Sequence, residues 1–133
     1  MEASLPCVDP AREAGKPELA MRPLMDATTA SGLARLFKLV GNETRLRLLH
    51  VLHRETEVCV GDLADRVGMA PQAVSNQLQR LVDRGIVSAR RDGVRFFYHI
   101  ADPCVIGLID LGWCLIEETT VTPSRSRRSG DSP

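Results

Sequence analysis

Between residues 60 and 100 the sequence changes from a helical to a strand period, and this change limits the folds open to the chain. Apolar residues recur at helical spacing over Val60–Val67 and again over Pro71–Asp83, with three residues between the two segments. Gly68 suits the end of the first helix. Over residues 86–100 apolar and polar residues alternate around Asp92-Gly93, a strong signal for a two-residue hairpin loop. Two short helices followed at once by a hairpin indicate a helix-turn-helix with a wing.

Three further segments predict helices that enclose this unit. Ala27–Val40 and residues 42–54 carry apolar side chains at helical spacing, and Asn42 suits the N-cap of the second of these helices. Residues 105–116 predict a helix that is apolar on most of its circumference. One small core cannot cover such a helix, so we expect a partner subunit to cover it. The predicted fold class is mainly α with a β-hairpin wing, a homodimeric winged helix-turn-helix.

The two ends of the chain differ in composition from its middle. Residues 1–26 contain four prolines and scattered charges, and residues 119–133 are rich in Ser, Arg and Pro. We therefore expect a flexible N-terminal arm, a folded domain over residues 27–118 and a disordered C-terminal tail. No run of about 18 apolar residues occurs. The start of the chain also lacks the basic and apolar regions of a secretory signal. We expect no membrane partner and a cytoplasmic location.

Positive charge is concentrated in the predicted helix-turn-helix and wing, although the whole chain has a formal net charge of +0. Residues 70–95 hold five arginines and two aspartates, whereas residues 1–28 hold three basic and five acidic residues. A phosphate backbone responds to this local field rather than to the net charge. Arginines alone would indicate only a solvated surface, but here they accompany a helix pair and a hairpin.

The second helix should also expose short polar side chains near its start, and the amides of Gln and Asn can pair bidentately with adenine. Further along the helix a phosphate contact is expected, and a basic hairpin can follow the neighbouring groove or backbone. The predicted residues for double-stranded DNA are Gln72, Ser75, Asn76, Gln79 and Arg80 on the helix, and Arg90, Arg91 and Arg95 on the hairpin.

The chain contains four cysteines, Cys7, Cys59, Cys104 and Cys114. A structural disulfide framework is not expected in a reducing cytosol, and the lack of a CxxC pair argues against a self-contained zinc-ribbon site. The thiols are therefore small apolar core residues, redox sensors or metal ligands. Burial is a poor explanation for Cys7, which lies in a polar segment. Because no Cys/His pairing indicates a catalytic nucleophile, we do not expect an enzyme.

Several short motifs along the predicted domain match a known pattern. They are N-E-T-R-L-R-L-L at residues 42–49, E-V-C-V-G-D-L-A at 57–64, A-V-S-N-Q-L at 73–78, R-D-G at 91–93 and F-Y at 97–98. Together they resemble the ArsR/SmtB family of metal-sensing winged helix-turn-helix repressors, over about residues 30–118. The resemblance implies a homodimer joined through its first and last helices. It also implies that the metal-free protein binds an inverted-repeat operator and that an inducer weakens this binding.

One inducer site that the resemblance implies joins the N-terminal arm of one subunit to the helix-turn-helix of the other. It uses cysteines of the arm and of an E-L-C-V-C-D box. Here Cys7 lies in the arm and Cys59 is the first cysteine of the box, but Gly61 stands at the second. Two thiolates leave that site incomplete, although a linear site with two sulfurs suits mercury.

The other implied site lies between the paired last helices, with a D-x-H … H-x-x-E pattern. Asp102 and Glu118 fall at its carboxylate positions, Cys104 replaces the first His, and Cys114 adjoins Leu115 at the second. Thiolate in place of imidazole favours soft ions such as cadmium, lead, mercury, arsenite or copper(I). The two cysteines are about 15 Å apart along one helix. Antiparallel helices of two subunits would have to bring them together.

The sequence thus predicts a metal-responsive repressor that is released from operator DNA when a soft heavy-metal ion binds cysteine thiolates. No organic cofactor is expected. The alternative is a redox-responsive repressor, in which two cysteines form a disulfide. Only the metal-responsive protein should lose DNA binding when metal is added under full reduction.

Overall fold

The computed structural model describes residues 15–121 of the chain, with side chains as far as residue 117. A short 3-10 helix at Leu19–Met21 comes first. The α-helices are α1 (Ala27–Val40), α2 (Glu43–Glu55), α3 (Val60–Val67), α4 (Pro71–Asp83) and α5 (Cys104–Val121), and the strands are β1 (Val58–Cys59), β2 (Val87–Asp92) and β3 (Arg95–Ile100). The predicted mainly α fold with a β-hairpin wing is confirmed. Most of the predicted arm and tail lies outside the described residues, so the domain limits stay a prediction.

Local capping residues explain where the helices begin and end. The Asn42 side chain accepts a hydrogen bond from the Arg45 amide at 3.1 Å, as expected of an N-cap. Asp26 caps α1 in the same way, at 2.8 Å from the Thr29 amide, and this bond lowers the pKa of the Asp26 carboxyl. Gly68 ends α3 in the left-handed conformation with φ 70°, where glycine has no steric penalty.

The three strands form one antiparallel sheet in the order β1-β3-β2. Strand β1 was not predicted, because two residues are too few to show a strand period. The hairpin loop also differs from the prediction: Asp92 pairs with Arg95, so the loop is Gly93-Val94 rather than Asp92-Gly93. Gly93 has φ 67°, and Val94 does not share this positive value. A glycine at the first loop position and a branched residue at the second match a type II′ turn.

The core lies between α2, the α3–α4 pair and the sheet. Its fully buried side chains are Leu48, Leu49 and Leu52 of α2, Leu63 of α3, Val74, Leu78 and Leu81 of α4, and Val87 of β2. Burying a side chain of this size stabilises the fold by roughly 1.5–3 kcal/mol. These contacts fix the relative positions of α3, α4 and the wing.

Helices α1 and α5 leave apolar side chains outside this core. Phe37 on α1 is 49% exposed, and on α5 Trp113 is 50% exposed and Leu115 66%. Phe37, Val40 and Trp113 are among the residues that line one apolar groove between the two helices. Within residues 15–121, no helix is long and apolar enough to cross a membrane.

The link between α2 and β1 is a tight turn centred on Thr56. Thr56 has φ 70° and ψ −64°, and the Glu57 amide donates a hydrogen bond to the Glu55 carbonyl at 2.8 Å. These values are those of the γ-turn with positive φ, the rarer of the two γ-turn types, which is strained for a β-branched residue. Both neighbours of Thr56 are held by arginines: Glu55 by Arg66 of α3 and Glu57 by Arg90 of β2.

Candidate DNA interface and thiol sites

Helix α4 presents a row of amide side chains on the side opposite its core residues. Gln72, Asn76 and Gln79 are exposed at positions i, i+4 and i+7, whereas Val74 and Leu78 on the other side are buried. Arg80 is also exposed, and Ser75 is half-buried beside the row. The structure therefore brings the predicted helix residues together on or beside one outward face.

Hydrogen bonds along α4 orient these amides. The Gln72 Nε2 donates to Asn76 Oδ1 at 3.1 Å, and the Gln79 Nε2 donates to Asp83 Oδ1 at 2.8 Å. Both pairs join residues four apart, which are neighbours on a helix surface. The first two amides thus form one connected polar edge, the kind of group that pairs with base edges in the major groove.

The wing carries the three predicted hairpin arginines, all exposed. Arg90 forms a bidentate pair with Glu57, at 2.9 and 3.0 Å, and its guanidinium lies 5.0 Å from the centre of the Phe97 ring. The hydrogen bond with Arg90 lowers the pKa of Glu57, and the same bond raises the pKa of Arg90. Arg90 is therefore partly neutralised in this conformation.

The other two hairpin arginines lie nearer the loop. Arg91 donates to the Gly93 carbonyl at 2.8 Å, and its guanidinium lies 5.6 Å from the centre of the Phe96 ring. Arg95 opens β3 opposite Asp92. Two cations thus lie close to the tip of the hairpin.

One pair of residues behind the exposed amide row of α4 was not predicted from the sequence. Arg45 of α2 is 9% exposed and is the one buried charged side chain among the residues described. Its Nη1 donates to Gln77 Oε1 of α4 at 2.6 Å. Burial, and then the charge of Arg80, lowers the pKa of the Arg45 guanidinium. Both residues belong to the short motifs described above, at residues 42–49 and 73–78. Their hydrogen bond, however, is apparent only from the fold.

The predicted thiol ligands lie in separate parts of the subunit. Cys59 ends β1 opposite Phe97 and is 8% exposed, so little of this residue is open to an ion. Cys104 and Cys114 lie on α5 and are half-buried. Cys7 lies outside the described residues, as does the side chain of Glu118. Within residues 15–117, no three His, Cys, Asp or Glu side chains are grouped so that they could hold a metal ion.

At the start of α5, two charged side chains lie next to Cys104, those of Asp102 and Lys16. The Asp102 Oδ1 accepts a hydrogen bond from the Cys104 amide at 3.0 Å, so this predicted metal ligand also caps the helix. The Lys16 ammonium donates to Cys104 Sγ at 3.5 Å, which brings the segment before α1 next to the thiol. Asp102 and Cys104 are thus adjacent, while Cys114 lies about three turns further along the helix.

The helix-turn-helix and wing match proteins of known class. Residues 40–89 match the family model of a helix-turn-helix domain. The cadmium resistance transcriptional regulatory protein CadC of Listeria innocua is 32% identical over 93 residues, which cover 70% of this chain and 76% of that protein. The crystal structure of the antimony-specific transcriptional repressor AntR is 54% identical, with a TM-score of 0.69, covering 79% of this chain and 95% of that chain.

A second solved structure extends the likeness to an assembly. It is the homodimeric winged helix-turn-helix DNA-binding domain of a possible ArsR-family regulator from Mycobacterium bovis. It is 31% identical with a TM-score of 0.61, and the match covers 78% of this chain and 94% of that one. The matched length, the helix-turn-helix and the wing together show that this chain belongs to the ArsR/SmtB family of winged helix-turn-helix transcriptional repressors, which are DNA-binding regulators and not enzymes.

Proposed function

We propose that this protein is a homodimeric repressor that binds an inverted-repeat operator through α4 and the wing, and that a soft metal ion bound by thiolates releases it. The observation that carries this proposal is the exposed row of amides on α4, next to a hairpin that bears three arginines. The row supplies base contacts and the hairpin supplies contacts with phosphates. Two subunits related by a two-fold axis match the two halves of an inverted repeat.

The metal inducer is inferred from the thiols and from the relatives. The Listeria relative is named for cadmium resistance, and the AntR repressor is described as antimony-specific. Cadmium and trivalent antimony both prefer sulfur ligands, and the chain holds four cysteines. We therefore infer a soft inducer of this kind.

We favour a site in which two antiparallel α5 helices bring Cys104 of one subunit next to Cys114 of the partner subunit. Both thiols are half-buried on a helix whose outer face is apolar, so a partner α5 that covered this face would also approach the thiols. The homodimeric Mycobacterium neighbour supports an assembly of two subunits. Asp102 and Glu118 remain candidate oxygen ligands, although Asp102 would then have to share its carboxylate with the helix cap.

Cys59 and Cys7 rank lower as ligands. The burial of Cys59 favours a packing role. Cys7 would have to lose the conformational freedom of its segment in order to bind. They stay in the proposal as the second, arm-dependent site.

The test is operator binding, in a non-thiol reductant, with and without cadmium or antimonite. Wild type and the four Cys→Ser variants are compared, and magnesium serves as the control ion. We expect either soft ion to weaken operator binding of wild type by about 5–150-fold, the usual range of allosteric coupling. Cys104→Ser and Cys114→Ser should each lose most of this response, while their metal-free operator affinity is unchanged.

Three outcomes would contradict parts of the proposal. A full response in both α5 variants would remove the α5 site and leave Cys7 and Cys59. A normal response in all four variants would end the thiol-sensor hypothesis. Release by oxidant but not by metal under full reduction would support the redox alternative.

A further inference from the structure

The Arg45 guanidinium joins three helices at one buried point. Its Nε donates to the main-chain oxygen of Leu39, in the last turn of α1, at 2.5 Å. Its Nη1 donates to Gln77 Oε1, in the middle of α4, at 2.6 Å. Arg45 itself lies in the first turn of α2, where its amide is bound by the Asn42 cap. Burying a cation is unfavourable unless its donors are bonded. The Leu39 carbonyl and the Gln77 side-chain oxygen therefore both stabilise the buried guanidinium.

Gln77 differs from the other amides of α4 in its direction. Gln72, Asn76 and Gln79 are exposed, whereas Gln77 is half-buried and its oxygen accepts from Arg45. Successive residues of an α-helix are turned by about 100° around its axis. Holding Gln77 against α2 therefore fixes the direction in which Asn76 points.

We propose that Arg45 is a positioning residue for operator recognition, which holds α4 at the rotation that directs its amides toward base edges. This inference rests on the proposed function, because the rotation of α4 matters only if α4 makes the base contacts. The same guanidinium binds the end of α1, whose Phe37 and Val40 line the apolar groove beside Trp113 of α5. Arg45 thus bonds both to α1, which borders the proposed dimer face, and to α4, the proposed recognition helix.

A purely structural role for Arg45 makes a different prediction. If the guanidinium only stabilised the fold, its loss would lower the free energy of unfolding and would leave the sequence preference of the folded protein unchanged. If it positions α4, its loss should weaken operator binding more than random-DNA binding. Random DNA is bound mainly through phosphates, which tolerate a rotated helix. The ratio of the two affinities separates these roles.

The experiment measures that ratio in the full-length chain, at a temperature where circular dichroism shows each variant to be folded. Gln77→Met removes the acceptor and keeps a similar size. We expect the operator-to-random ratio to fall by roughly tenfold, the order of one lost bidentate base contact, while random-DNA affinity stays within about twofold. Gln77→Glu keeps an acceptor for Arg45 and should keep the ratio, even if its charge weakens binding to all DNA.

A matched control and a second variant guard against a general folding defect. Val82→Ala removes packing from half-buried Val82 on the same helix without touching the Arg45 bonds, so it should lower stability and leave the ratio unchanged. Arg45→Lys keeps the charge, but one ammonium cannot reproduce the planar guanidinium fork. We expect this variant to lower the ratio as Gln77→Met does.

The single variant Arg45→Met and the double variant Arg45→Met/Gln77→Met complete a double-mutant cycle with Gln77→Met. If Gln77 acts through its hydrogen bond with Arg45, the double variant should lose no more of the ratio than Arg45→Met alone. Additive losses, or an unchanged ratio in Gln77→Met, would overturn the inference. If Asn76→Ala lowers the ratio and Gln77→Met does not, only the positioning role fails. If Asn76→Ala leaves the ratio unchanged, the assignment of α4 as the recognition helix fails instead.

Discussion

Asn76 is the side chain of α4 whose chemistry and direction best fit a base contact. It is exposed, and its oxygen accepts from Gln72, which limits the orientations of the amide before DNA arrives. Asn76→Ala should therefore weaken binding to the cognate operator by roughly 1–3 kcal/mol, the value of a bidentate base contact. Titrations with operator and with random DNA of equal length measure this loss.

The control for that experiment is Arg95→Ala on the wing. A phosphate contact contributes similarly on every sequence, so this variant should weaken operator and random DNA alike and flatten the salt dependence. Equal losses on both DNAs for Asn76→Ala would contradict its part in sequence recognition.

Glu57 restrains a cation that the wing could otherwise offer to DNA. Its carboxylate binds Arg90 in two places, at 2.9 and 3.0 Å. Glu57→Gln should release Arg90 toward phosphate, so that affinity for all DNA rises. The slope of log affinity against log salt should steepen by about 0.9, the value for one added phosphate contact. The slope is measured by titration at several salt concentrations.

Glu55→Gln is the matched control for Glu57→Gln. The two residues flank the same turn, each binds one arginine in two places, and each variant removes one negative charge. The partner of Glu55 is Arg66 of α3 rather than a wing residue. Equal increases in affinity in the two variants would mean that overall charge, and not the release of Arg90, is responsible.

Among the elements, those bounded by local signals were predictable from sequence. The Asn42 cap and Gly68 act within a few residues of the helix ends that they define, so their neighbours in sequence suffice. Strand β1 exists only because Val58 and Cys59 pair with β3, about forty residues later. The hairpin loop moved by one residue because the strand register extends to Asp92–Arg95, which sequence alone does not fix.

The turn at Thr56 is an element under strain, and glycine should relieve it. Among the described residues, Thr56 is the one non-glycine residue with positive φ. Such a conformation costs of order 1–3 kcal/mol. Glycine removes this cost, but it also increases the conformational entropy of the unfolded chain, which offsets part of the gain. Thr56→Gly should therefore increase the free energy of unfolding by about 1 kcal/mol, measured by urea denaturation.

The opposite change provides the comparison for Thr56→Gly. Gly68→Ala places a side chain at φ 70° in the turn of the helix-turn-helix and should destabilise the protein by about 1 kcal/mol. A loss of stability in Thr56→Gly would show that the threonine side chain makes contacts worth more than the strain of the turn.

At the scale of the whole molecule, the exposed apolar faces of α1 and α5 predict a dimer. Trp113 is 50% exposed and packs edge-on against His50, with ring centres 5.4 Å apart. Trp113→Glu places a charge in the proposed interface and should weaken dimerisation by at least about tenfold, the effect of an uncompensated buried charge. Sedimentation equilibrium over a range of protein concentrations measures it.

Arg54→Glu serves as the control for that variant, since it changes the charge at an exposed position on α2, outside α1 and α5. If wild type is a monomer at micromolar concentration, the proposed dimer is wrong. If both variants dissociate equally, the effect comes from charge and not from the α5 face.

The candidate sites were predictable to different degrees. The proposed DNA-binding residues follow the periodicity of a single helix and hairpin, so one chain contains the whole pattern. Arg45 and Gln77 are 32 residues apart in the chain, and their hydrogen bond depends on how α2 packs against α4. The proposed pairing of Cys104 with Cys114 depends on a second subunit, and a separation along one sequence cannot reveal it.

The two sides of α4 have different roles: one packs in the core and the other faces solvent. Val74, Leu78 and Leu81 are buried and hold the helix in the fold, while Gln72, Asn76 and Gln79 lie on the opposite side, in the solvent. Exchanging the outer residues leaves the packing intact, because surface substitutions rarely change stability by more than about 0.5 kcal/mol. Duplicated copies of such a gene can therefore diverge on the outer face of α4, where we propose the base contacts, while retaining the same fold. If this face makes the proposed base contacts, substitutions confined to it would direct the protein to a chosen promoter without disturbing its core.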